Sequence, residues 1–180
     1  SIDGGLTRIF WNLLSSAPSF SICFLYSFRV VAPIIWILPL AKAGLNIFAA
    51  SNEPEILAIW SDSSLAEFKM ILKDEIARYG LSIEFGPAVS FAGKILTGID
   101  PTLLSPALKL SKTQSYFFTH GDSDTRVLTR HFDYFKEYTL ANNINAKFWL
   151  VKESDHLDGM LKYTDEYATR MELFFNSNLK

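Results

Sequence analysis

Cysteine is almost absent from this chain. The single Cys23 sits in an apolar run, so no internal disulfide can close and no cysteine-built metal centre is available. Histidine is scarce as well: His120, His131 and His156 are the only three, and their spacing matches no zinc-binding pattern. Neither sign of charge prevails. A net charge of −2 and a pI near 5.9 leave no electrostatic footprint for nucleic acid or for an anionic membrane surface. Repeats, low-complexity tracts, linkers and phosphate-cradling glycine patterns are all missing. The start, Ser1-Ile2-Asp3-Gly4-Gly5, has neither an initiator Met nor the basic segment of a secretory leader, which makes a processed or partial chain in an intracellular setting the expectation. No cofactor and no metal are expected.

What is present is apolar and aromatic. At 180 residues, 49% hydrophobic and 14% aromatic, the chain can bury the core of one ordinary domain and is not a disordered polypeptide. Leu6, Ile9, Phe10, Leu13 and Leu14 recur at helical spacing, and Pro18 ends that helix. Residues 19–27 read as a buried strand. The apolar stretch 19–40 is long enough to raise a membrane span, but Arg29 lies inside it and Pro33 and Pro39 interrupt it. A strand followed by an apolar lid helix is therefore expected, with membrane contact not favoured.

Residues 52–110 look like an insertion. Ser64-Leu65-Ala66-Glu67 has the form of a capping box, Leu65, Phe68, Leu72, Ile76 and Tyr79 line one helical face, and Gly80 supplies the stop. Gly86-Pro87, Gly93, Gly98, Asp100-Pro101 and Ser105-Pro106 then punctuate short helices or loops. The final third is more regular. A strand is expected over 116–119, then a helix with Leu128, Phe132, Phe135 and Tyr138 on its core face and a break at Asn142-Asn143. Ala146–Val151 reads as the last strand. Thr164 caps a last helix that turns Tyr167, Met171, Phe174 and Phe175 inward. Of the histidines not yet placed, His120 reads as a strand-end packing residue and His131 as a helix-surface one.

One run ties these elements together. His120-Gly121-Asp122-Ser123-Asp124-Thr125-Arg126-Val127 has the form H-G-x-x-D-x-x-V, and Glu153-Ser154-Asp155-His156 follows the next strand. This order resembles the closing segment of the α/β-hydrolase family, in which the first loop carries the triad acid and the second the triad histidine. The resemblance implies Asp124 as acid and His156 as base, meeting at the carboxyl edge of the sheet. Taken singly, Asp124 reads as a turn residue and His156 as a surface histidine beside Glu153, Asp155 and Asp158. The implied fold is α/β: a hydrolase-like parallel sheet flanked by helices, with a helical cap insertion and only the later strands present. Residues 1–50 would be elbow helix, strand and lid, 51–110 the cap, and 111–180 the closing strands and helices.

The nucleophile is the open position. The family's elbow has the form small-x-nucleophile-x-small before a helix, and the start of the chain fits it in three registers. Asp3 flanked by Ser1 and Gly5 gives an Asp nucleophile. The S-x-G-G register puts Ile2 there, which has no nucleophilic atom, and a Ser1 nucleophile has Asp3 where a glycine is usual. A plain glycine-rich helix start accounts for the same residues. Two classes of function stay open. One is a hydrolase of carboxylic esters or acyl groups with an apolar substrate, built on Asp124, His156 and Asp3 or another nucleophile. The other is a non-catalytic hydrolase-like scaffold (a pseudoenzyme) in a larger assembly, with the apolar stretch 19–50 as an interaction surface. Half a sheet exposes an unpaired edge, so further residues, a complementary chain or a different arrangement must complete it.

Overall fold

Residues 24–26, 44–97, 100, 103 and 105–179 are described by the structure, a computed structural model. Strand β3 (Ser115–Gly121) shows how the architecture follows from alternation. Successive side chains of a strand point to opposite faces, and every residue here from Tyr116 onward is buried, so both faces must be covered. Tyr116 and Phe118 join Ile59, Phe132 and Phe135 in one core, while Phe117 joins Ala58, Trp60, Tyr167, Met171 and Phe174 in the other.

The four strands lie in the order β1 (Phe24–Tyr26), β2 (Ala58–Asp62), β3, β4 (Ala146–Val151). β2, β3 and β4 are parallel, with Trp60 opposite Phe117 and Phe118 opposite Phe148; β1 pairs antiparallel with β2. Helices α1 (Leu45–Ser51) and α4 (Arg130–Asn142) contribute to the first core, and α6 (Thr164–Asn178) to the second. Between β2 and β3 the chain forms α2 (Phe68–Arg78), α3 (Gly86–Thr97) and, among the described residues, the short 3-10 turns Ile83–Phe85 and Pro106–Lys109; α5 (Gly159–Lys162) precedes α6. The two cores use stacked rings as well as area: Trp60 lies on Phe117 at 4.0 Å between centroids, and Phe118 on Phe135 at 4.4 Å.

A polar knot closes the second core. The Tyr167 hydroxyl donates to Asp62 Oδ2 at 2.7 Å and accepts from Trp60 Nε1 at 2.9 Å. Tyr167→Phe leaves the buried indole N–H without its acceptor and removes the Tyr167 donor from Asp62 Oδ2. It is expected to cost about 1–3 kcal/mol, read from the urea midpoint. An unchanged midpoint would show that the hydroxyl contributes nothing there.

Several sequence expectations are corrected. β2 lies inside 51–110, the range expected to be cap, and it is the parallel neighbour of β3. Of 19–27 only 24–26 are described, as the antiparallel β1; the helix at 6–14, the lid and most of the stretch 19–40 lie outside the described residues. The capping box does not form: Glu67 is the N-cap of α2 with no side-chain cap, and the Ser64 hydroxyl pairs with that of Ser61. Tyr79 is 77% exposed rather than on a core face, and Leu128 is exposed ahead of α4. His131 is fully buried, not on the surface, because α4 turns it toward α2. Thr164 is the first residue of α6, and its hydroxyl bonds back to the Met160 and Leu161 carbonyls. Other punctuation holds: Gly80 follows α2 at φ 67, and Asn143 ends α4 at φ 53, both left-handed. Among the described residues, no helix is long and apolar enough to cross a membrane.

Candidate active site

The carboxyl ends of β3 and β4 are stitched together before any catalytic side chain is considered. Asp122 N–H donates to the Val151 carbonyl at 2.9 Å and Ser123 N–H to the Ser154 carbonyl at 3.0 Å. Gly121 makes this possible. A β-carbon there would collide with the Ser154 carbonyl oxygen and stand 2.7 Å from that of Asp155. The glycine is needed for space, since its backbone is not left-handed.

Asp124 occupies the turn so formed, its side chain fully buried. Its Oδ1 accepts the Arg126 and Val127 N–H groups, each at 2.8 Å. Its Oδ2 faces Nδ1 of His156 at 2.9 Å, with His120 Nε2 at 3.5 Å on the same oxygen. Burial pushes the Asp124 carboxyl up, but the His156 hydrogen bond, the Val127 N–H, the imidazole charge and the Arg126 N–H outweigh it and hold the pKa below the ordinary value. Asp124 is therefore a carboxylate and accepts the Nδ1 proton of His156. In the neutral ring the free lone pair is then on Nε2. His156 keeps 18% of its side chain exposed.

Two further contacts orient the imidazole loop. Asp155 Oδ1 accepts the His156 N–H at 2.7 Å and, across the gap between loops, the Thr125 N–H at 3.0 Å. Those backbone donors, Thr125 first, hold the Asp155 pKa down. Ser63, left-handed at φ 47 just past β2, accepts the Leu157 N–H at 3.3 Å and donates to Asp62 Oδ1 at 3.1 Å. Leu157 is itself left-handed at φ 60, a conformation that costs a leucine energy and marks a constrained loop. Withdrawal from water pushes the Asp62 pKa up, against hydrogen bonds from Tyr167, Thr119 and Ser63.

Of the residues singled out in the sequence, Asp124 and His156 are brought together, and His120 packs at the strand end, donating to the Val127 carbonyl at 2.7 Å. Asp3 and the other residues of the expected elbow lie outside the described residues. Asp155, Ser63 and Asp62 were missed. The short run 58–60 followed by small polar residues was the one signal that could have located the last two. Among the described residues, no group of three or more His, Cys, Asp or Glu is placed to hold a metal ion.

The sheet order, the helices on both faces and the two loops at one edge define an α/β-hydrolase fold of which the later strands are present. Solved structures agree. A Pyrococcus furiosus esterase superposes with a TM-score of 0.54 at 17% identity, covering 76% of this chain and 50% of that one. A Pyrococcus horikoshii acylaminoacyl peptidase gives 0.56 at 16% identity over 76% of this chain and 22% of its own. A Mycobacterium tuberculosis puromycin-hydrolyzing peptidase gives 0.59 at 12% identity over 77% and 21%. The chain thus spans about half the length of the esterase and about a fifth of each peptidase. No family model and no curated protein matches it by sequence.

Proposed function

We propose that Asp124 and His156 are the acid and base of a centre that hydrolyses carboxylic esters or acyl groups, with the nucleophile and the first strands supplied outside the described residues or by a complementary chain. The observation that carries this is the 2.9 Å contact between a fully buried carboxylate, already saturated at its other oxygen, and a partly exposed imidazole. His156 Nε2 takes the nucleophile's proton, and Asp124 holds the tautomer and stabilises the imidazolium. An apolar substrate fits the cap, whose Phe85, Phe91 and Ile95 are all exposed. A cap packed tightly on the core would have buried them.

Purified alone, the chain is expected to be silent with p-nitrophenyl esters and with a serine-directed fluorophosphonate probe. The common elbow register puts Ile2 at the nucleophile, and Asp3 could attack only an alkyl-halide or epoxide-like carbon. The polypeptide or complex that supplies the nucleophile is expected to hydrolyse esters and to lose about 10⁴-fold in kcat on Asp124→Asn. Equal activity in wild type, Asp124→Asn and His156→Ala would sink the reading. Probe labelling at Ser1 of the lone chain, abolished by His156→Ala, would place the nucleophile here. Turnover of a haloalkane lost in Asp3→Asn would move it to Asp3, and silence in every form would leave a scaffold.

A further inference from the structure

Helix α2 is fixed to the acid loop by polar contacts rather than by burial. Ile76 is the only buried residue of the helix. Its polar anchors, by contrast, run along the whole segment. The Ala66 N–H donates to His131 Nδ1 at 3.0 Å, Arg130 donates to the Met70 carbonyl at 3.2 Å, and Asp74 pairs with Arg130. Because His131 Nδ1 is an acceptor, Nε2 carries the proton, and it lies 3.6 Å from Asp74 Oδ2, beyond a hydrogen bond. Arg78, at the last turn, donates through Nη2 to the Thr125 carbonyl at 2.7 Å and to the Arg126 carbonyl at 3.1 Å.

That last contact falls on the peptide next to the acid. The Thr125 N–H is held by Asp155 of the imidazole loop, its carbonyl by Arg78 of the cap, and the two N–H groups that follow bind Asp124 Oδ1. We propose that Arg78 is a positioning residue that couples the seating of α2 to the Asp124–His156 pair, so that lifting α2 loosens the acid and docking it restores the acid. The proposal rests on reading that pair as acid and base. A cap that moves to admit an apolar substrate would then leave the base unsupported until it closes. The Glu75 carboxylate, 3.4 Å from Arg78 on the same helix and equally exposed, is an ordinary surface ion pair and does not bear on the loop.

The experiment is amide hydrogen exchange by NMR on the chain, together with the His156 Nδ1 proton resonance. In Arg78→Ala the Arg126 and Val127 amides are expected to exchange roughly tenfold faster, the worth of one charged hydrogen bond. The Nδ1 resonance should broaden, while the amide of Phe117 in β3 is unchanged. Arg78→Lys, a point charge without the fork, should restore part of the protection. Should Arg78→Ala fail to fold, Arg78→Gln keeps a polar side chain whose amide nitrogen ends two bonds short of the Nη2 that makes both contacts, and it is expected to raise exchange at the same two amides. Wild-type exchange at Arg126 and Val127 in the alanine or glutamine variant, with the Phe117 amide still protected, would overturn the coupling. Exchange reports no turnover, so this failure leaves the acid–base reading standing. Inactive esters, conversely, leave the coupling standing.

Discussion

Gly121→Ala is expected to lower the thermal midpoint by about 6–12 °C and to erase the His156 Nδ1 proton signal. The added methyl group would meet the backbone of Ser154 and Asp155, not the tip of a side chain that could turn aside. Either β3 or the imidazole loop must therefore move. Overpacking of this kind costs roughly 3 kcal/mol, and a domain of this size loses about 2–4 °C per kcal/mol. The displaced loop carries the Ser154 carbonyl that takes the Ser123 N–H, and beyond it Asp155 and His156, so the contact to Asp124 goes with it. Gly80→Ala is the matched control. Gly80 has φ 67 with open space around it, so alanine there pays only for a strained backbone, about 1 kcal/mol, and leaves His156 untouched. A wild-type midpoint in Gly121→Ala would mean that the two loops are not in the contact described.

The contrast between these two glycines shows what could be read from the sequence and what could not. Gly80 announced itself as a helix stop. Gly121 was visible as the break after an aromatic strand and as part of H-G-x-x-D-x-x-V, but the reason for it, the backbone of a loop some thirty residues on, has no signature in the chain. Strands β3 and β4 were legible because their alternating aromatic residues serve two cores and because turn residues bound them. Strand β2 was not: Ala58, Ile59 and Trp60 make too short a run for periodicity to decide, and the serines after it imitate a helix cap. Asp124 and His156 were legible as a pair because their loops follow adjacent parallel strands. Arg78 and Asp155 were not, because each acts on backbone groups of Thr125, and a partner that is a peptide leaves no residue type to search for.

Asp124 should separate stability from tautomer in two substitutions. Asp124→Ala removes the acceptor of the Arg126 and Val127 N–H groups and of His156 Nδ1, and with burial that leaves the two loop amides unpaired. A loss of about 3 kcal/mol or more is expected, from unsatisfied donors at roughly 1–3 kcal/mol each. Asp124→Asn keeps an oxygen for the two amides but presents an N–H₂ to the imidazole, so Nδ1 must become the acceptor and the proton moves to Nε2. The variant should fold nearly as well as wild type and yet show no Nδ1 proton. Acid titration gives an independent reading. The folded pKa of Asp124 is depressed, so its contribution is fully present above the unfolded value of about 3.9 and is lost as pH falls through the lower folded value. Wild type should therefore lose stability below pH about 4 along a limb that Asp124→Asn lacks. Asp62, whose folded pKa is raised, works in the opposite direction, its contribution being present below about 3.9 and lost as pH rises through the folded value. It is common to both proteins and cancels in the difference. Identical acid limbs in wild type and Asp124→Asn would show that the Asp124 carboxylate is not held by the amides and imidazole around it.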